Sequence, residues 1–123
     1  MCAADTKEGG IRRKSIMSAR ASVKIVVCGP TKGGKTSIAN FIAGHTEQLG
    51  NGNRIYEPTV GTRILECDKQ PGITGSKVPV EIWDLSGDQT YEACWPAVVE
   101  GVHGVILVYN PEIPSHDTEI GVW

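Results

Sequence analysis

One stretch constrains this chain more than any other: Gly29-Pro30-Thr31-Lys32-Gly33-Gly34-Lys35-Thr36. It matches the pattern G-x-x-x-x-G-K-[ST] and lies between an apolar run at 23–28 and a helical pattern at 36–44. A glycine-rich turn in that context lets backbone N–H groups converge on phosphate oxygens, and the helix N-terminus adds a favourable dipole. Residues Gly29, Pro30, Thr31, Lys32, Gly33, Gly34, Lys35 and Thr36 are therefore the candidate nucleotide-binding loop. Lys35 can bring positive charge to the β- and γ-phosphates, and the Thr36 hydroxyl can ligate magnesium. The Lys32 side chain reads as a solvated loop charge. The helix after the loop presents Ile38, Phe41 and Ile42 on one face, and Gly44 suits its C-terminal cap.

The remaining pattern predicts an α/β fold with about four strands. Residues 47–59 are a polar loop. A strand at 62–67 and a strand at 78–84 flank a Pro- and Gly-containing turn, which predicts an antiparallel pair. Val78, Val80 and Ile82 share one face of the later strand, and Trp83 takes the other. Residues 89–100 are helical in character, with a break or fresh start at Pro96. An apolar strand follows at 105–109, and Ser115 can cap a helix beginning near His116. Two short motifs sit beside this frame. Asp84 ends a strand in Asp84-Leu85-Ser86-Gly87, where the carboxylate can hold magnesium and Gly87 can offer its N–H to a γ-phosphate. Thr59, in Tyr56-Glu57-Pro58-Thr59, can give its hydroxyl to the same metal and its N–H to the same phosphate.

Composition narrows the function classes. At 123 residues the chain suits one domain. A net charge of -2 implies no bulk attraction to nucleic acid. No apolar run approaches the roughly 20 residues of a membrane-spanning helix. Position 2 is Cys2, not the glycine of a myristoylation signal, and no prenylation box closes the sequence. Cys2, Cys28, Cys67 and Cys94 form no CxxC pair and read as free thiols. His45, His103 and His116 form no ligand pattern and read as ordinary surface or half-buried residues. Residues 1–22, basic and rich in small residues, read as a flexible extension ahead of a domain at 23–123.

The three motifs, in this order, resemble the Ras/Rab small GTPases from Val23 onward. Finer features resemble one branch, the Rab-like subunit (twenty-two) of intraflagellar transport complex B. These are Tyr56-Glu57-Pro58-Thr59 leading to Arg63-Ile64-Leu65-Glu66, Trp83-Asp84 with Gly87-Asp88, and Glu92-Ala93-Cys94-Trp95-Pro96-Ala97. His103-Gly104-Val105 and Ile113-Pro114-Ser115-His116 continue the series. The resemblance implies a three-layer P-loop fold with strand order 2-3-1-4-5-6, GTP or GDP with Mg2+ as cofactors, and a place in cilium or flagellum assembly. It also implies two coiled-coil partner subunits, seventy-four and eighty-one, and residence in the cytoplasm and the cilium or flagellum.

The sequence also departs from that family. Asp88 stands where Ras-like hydrolases carry the glutamine that orients the attacking water. An ionised carboxylate cannot donate a hydrogen bond. Thr31 occupies a position that is glycine in many efficient relatives, so hydrolysis is expected to be weak or absent, and no residue is assigned a catalytic role. The guanine-reading Asn-Lys-x-Asp and Ser-Ala-Lys-like loops are missing, and Asn110-Pro111-Glu112-Ile113 does not replace the first. Residues 23–123 are thus expected to be the N-terminal part of a small-GTPase domain, with strand 105–109 left as an apolar edge. The leading expectation is a nucleotide-dependent switch or adaptor. The alternatives are a nucleotide-independent interaction fragment and an active P-loop NTPase assisted by a partner; a P-loop kinase is the most remote.

Overall fold

The structure is a computed structural model and describes residues 21–47, 49 and 59–123. The basic extension, except its last two residues, and Tyr56, Glu57 and Pro58 lie outside the described residues. The elements run β1 (Val23–Cys28), α1 (Lys35–Ala43), β2 (Thr62–Lys69), β3 (Val78–Leu85), α2 (Trp95–Val99), β4 (Gly104–Leu107) and α3 (Pro114–Glu119).

The four strands form one sheet in the order β2-β3-β1-β4. β1 is parallel to both β3 and β4, while β2 and β3 are antiparallel. This is the expected α/β P-loop arrangement, with four strands in place. The β2–β3 pair is longer than its apolar pattern predicts: β2 continues through Asp68 and Lys69, which pair with Pro79 and Val78. Backbone ladder bonds, indifferent to side-chain polarity, carry the strand past its last apolar residue.

Alternating residues on the strands build two cores. On one face Val27, Leu65, Val80 and Ile82 pack with Ala39 of α1, supported by Ile38 and Ile42. On the other, Val26, Cys28 and Leu85 pack with Trp95 and Val98 of α2. Helix–sheet–helix is therefore a three-layer stack. The buried stripe of α1 is Lys35 and Ala39, flanked by Ile38 and Ile42, whereas Phe41 is 43% exposed. The stripe predicted from Ile38, Phe41 and Ile42 is rotated because it counts only apolar residues, and the buried Lys35 belongs to the inner face.

The break at Pro96 takes a definite form. Gln89–Cys94 is a 3-10 turn, and α2 restarts at Trp95 with the proline in its first turn, where a missing N–H costs nothing. Trp95 stacks on Trp123 at a centroid distance of 3.8 Å. Trp83 lies across the sheet from Val80 and Ile82, donates to Glu81 at 3.2 Å and lies beneath the Lys24 ammonium. α3 begins at Pro114, two residues before the predicted start at His116, and no side chain caps it. β4 is an edge strand, with Val105 55% and Leu107 44% exposed.

Two expectations are corrected. Cys28 and Cys67 are free, but Cys94 is not a free thiol: it is disulfide-bonded. Spacing along a chain does not report which sulfurs approach in space. His116 is not a surface residue; it is 2% exposed and makes two hydrogen bonds. Its neighbours in sequence do not reveal that it closes back on the loop at 29–36.

Candidate functional site

The loop from Gly29 to Gly34 leaves β1 at the end of the sheet where β3 and β4 also end. Its path depends on close backbone contact. Gly29 has φ 135°, and a Cβ there would lie 2.0 Å from the Val108 carbonyl oxygen. Only glycine fits both the dihedral and the approach. Gly87 meets the loop from the other side: a Cβ on it would lie 2.4 Å from the Thr31 nitrogen and 2.7 Å from the Gly29 oxygen. The Asp84–Gly87 motif therefore touches the loop at 29–34. Lys32 adopts φ 62° without being glycine, a left-handed conformation that costs roughly 1 kcal/mol or more.

Lys35, the first residue of α1, is buried, and its ammonium donates to the Pro30 carbonyl at 2.6 Å. It thus lies folded along the inside of the loop. Burial pulls its pKa down, opposed by the negative charge of Asp84.

Thr36, Thr59 and Asp84 come together from three different segments. The Thr36 hydroxyl donates to Asp84 Oδ2 at 2.9 Å, and the Thr36 and Thr59 hydroxyl oxygens are 3.0 Å apart. Since Thr36 has one hydroxyl proton and gives it to Asp84, the proton between the two threonines comes from Thr59. Asp84 is fully buried; its Oδ2 also accepts from Arg63 at 3.3 Å, while its Oδ1 has no hydrogen-bond partner among the described residues. Burial pushes the Asp84 carboxyl above the usual range, opposed by the Thr36 hydroxyl and by the charges of Arg63 and Lys35.

A buried carboxylate oxygen left without a partner is costly unless something else satisfies it. Two hydroxyls and a carboxylate are hard oxygen donors of the kind that magnesium takes. The residues present fit that metal.

Asp88 is placed differently. Its side chain accepts from Thr90 N–H at 2.9 Å and from the Thr90 hydroxyl at 2.7 Å, capping the 3-10 turn. The Thr90 hydroxyl, and then its N–H, hold the carboxyl below the usual range. Asp88 is therefore ionised near neutral pH and occupied as a cap.

Motif matching missed three neighbours. Arg63 joins β2 to the site by contacting Asp84 and by donating to Asn40 Oδ1 at 2.8 Å. Its signal is present only in the strand register, which pairs Arg63 with Asp84. Asn40 lies one helical turn after Thr36, on the same face, so helical periodicity could have suggested it. His116 reaches the loop from α3, 85 residues away in sequence, and no local pattern foretells that contact.

The family described as "Ras of Complex, Roc, domain of DAPkinase" matches residues 24–123. The intraflagellar transport protein 22 homolog of Xenopus tropicalis is 48% identical over 100 residues, covering 81% of this chain and 53% of that protein. The homolog of Danio rerio is 44% identical over 104 residues, covering 82% and 54%. The chain spans about half the length of the curated relatives it matches. A chain of the T. brucei IFT22/74/81 GTP-bound crystal structure superposes with a TM-score of 0.68 at 34% identity, covering 84% of this chain and 56% of that one.

Proposed function

The chain belongs to the Roc (Ras of Complex) family of Ras-like GTPase domains, and from that premise we propose that it is a guanine-nucleotide-binding switch or adaptor of intraflagellar transport. The convergence of Thr36, Thr59 and Asp84, with Asp84 Oδ1 buried and unpartnered, is the observation that supports nucleotide and metal binding. The names of the relatives support the transport role and an association with cilia or flagella, with GTP as the nucleotide.

In this proposal Lys35 and the backbone of residues 29–34 bind the phosphates. Thr36, Thr59 and Asp84 hold Mg2+, which when bound neutralises charge on the β- and γ-phosphates. Gly87, in contact with the loop, offers its N–H to the γ-phosphate. Triphosphate would thus tie Thr59 and Gly87 to one centre, and diphosphate would release them. A partner reads that difference. The similarity to a chain of the IFT22/74/81 assembly supports subunits 74 and 81 as its partners.

Hydrolysis is weak or absent in this proposal. Asp88 accepts both hydrogen bonds of Thr90, is negatively charged and cannot orient a water by donation.

The exposed β4 edge favours a second reading, an interaction fragment that ignores nucleotide. Titration with a fluorescent GTP analogue and magnesium, followed by competition with GTP or ATP, separates the two. Displacement by GTP and not ATP supports the switch. Equal displacement indicates phosphate recognition without base recognition. No binding by a folded sample supports the fragment.

A further inference from the structure

His116 is buried, titratable and outside the proposed phosphate and metal contacts, yet it joins two segments of the site. Its Nδ1 accepts the Asn110 N–H at 2.9 Å. Because Nδ1 accepts, the neutral ring carries its proton on Nε2, and Nε2 donates to the Thr31 carbonyl at 3.0 Å. The ring therefore spans from the chain just after β4 to the middle of the phosphate loop.

That carbonyl belongs to the peptide between Thr31 and Lys32, and no cis bond is present among the described residues. In a trans peptide the C=O and the following N–H point in opposite directions. Fixing the Thr31 oxygen thus also fixes the direction of the Lys32 N–H. The same peptide leads into the left-handed conformation of Lys32, φ 62°. A non-glycine residue holds such a conformation only where its surroundings over-determine it.

We propose that His116 is a positioning residue for phosphate binding: its Nε2–H holds the Thr31 carbonyl and so aims the Lys32 N–H at the phosphates. This assignment rests on the proposed nucleotide site. It adds to that site a residue which touches no phosphate and acts through the loop.

Two replacements separate the bond to Thr31 from the bond to Asn110. In His116→Asn the shorter amide keeps an acceptor near the Nδ1 position, but nothing reaches Thr31. In His116→Gln the longer amide places its nitrogen near the Nε2 position and can donate to the Thr31 carbonyl. Affinity for a fluorescent GTP analogue with magnesium is measured for the wild-type chain and both variants, with thermal unfolding of each. We expect H116N to bind about tenfold more weakly, the loss of one hydrogen bond's discrimination, and H116Q to stay within about twofold of wild type. Equal affinities in H116N and H116Q, whether both reduced or both unchanged, would overturn the proposal while leaving the nucleotide site intact. Absence of binding by the folded wild-type chain would overturn the nucleotide site and this assignment together. Ring 15N spectra of the wild-type chain give a check that needs no variant. A His116 Nε2–H tautomer that responds to added nucleotide supports the assignment; an Nδ1–H tautomer contradicts it.

Discussion

Asp84 and Asp88 belong to one short motif, yet the strand end and the loop after it place them in opposite surroundings. Asp84, one residue before the end of β3, is fully buried, with one oxygen shared by Thr36 and Arg63 and the other without a hydrogen-bond partner among the described residues. Asp88 stands in solvent with its carboxylate engaged by Thr90. Burial raises one carboxyl and hydrogen bonding lowers the other. The same side chain thus keeps a buried oxygen without a partner among the described residues in one place and is committed to a turn in the other. Under the proposed function, this contrast keeps the means to bind nucleotide without the means to turn it over.

The strongest way to break the binding side of that contrast is Lys35→Ala. Removing a buried ammonium aimed along the loop should weaken GTP-analogue affinity about a hundredfold, as for a charged hydrogen bond. An unchanged titration would remove the phosphate loop from the account. Gly87→Ala attacks the contact between the two motifs. Its Cβ would sit 2.4 Å from the Thr31 nitrogen, so loop and strand end must separate. Overpacking of this sort typically costs about 1–3 kcal/mol, and we expect a lower thermal midpoint with affinity reduced about tenfold.

The burial of Asp84 can be sharpened by pH. Its folded pKa lies above the unfolded value, so the folded chain binds the proton more tightly. Asp84 therefore favours folding at low pH, and that contribution is lost as pH rises through the folded pKa. In thermal scans without nucleotide, wild type should lose stability relative to Asp84→Asn across that rise. A difference independent of pH would contradict the burial argument. The smallest effect is expected at Asp88. Asp88→Gln removes a cap and restores an amide at the position after Gly87. We expect a slight fall in thermal midpoint and a few-fold rise in single-turnover phosphate release. No rise at all would mean that the side chain at 88 is not what limits hydrolysis.

Much of this frame is legible in the sequence because it is built from local rules. The apolar run before Gly29, the glycine that ends α1, the β2–β3 pair and the restart at Pro96 each follow from a few adjacent residues. The glycine-rich loop between β1 and α1 and the aspartate near the end of β3 are legible for the same reason. What escapes is the long-range part. Lys35 is buried, so the inner face of α1 includes a charge and leaves Phe41 outside. Arg63 reaches Asp84 only through strand register. His116 meets Thr31 only once β4 is seated against β1. A sequence states which groups are available; the sheet decides which of them meet.

The magnesium dependence of GTP-analogue affinity in Asp84→Asn and Asp88→Asn, measured side by side, tests the contrast most directly. D84N is expected to lose most of the magnesium-dependent gain while D88N keeps it. Equal loss in both variants, or loss in D88N alone, would contradict it.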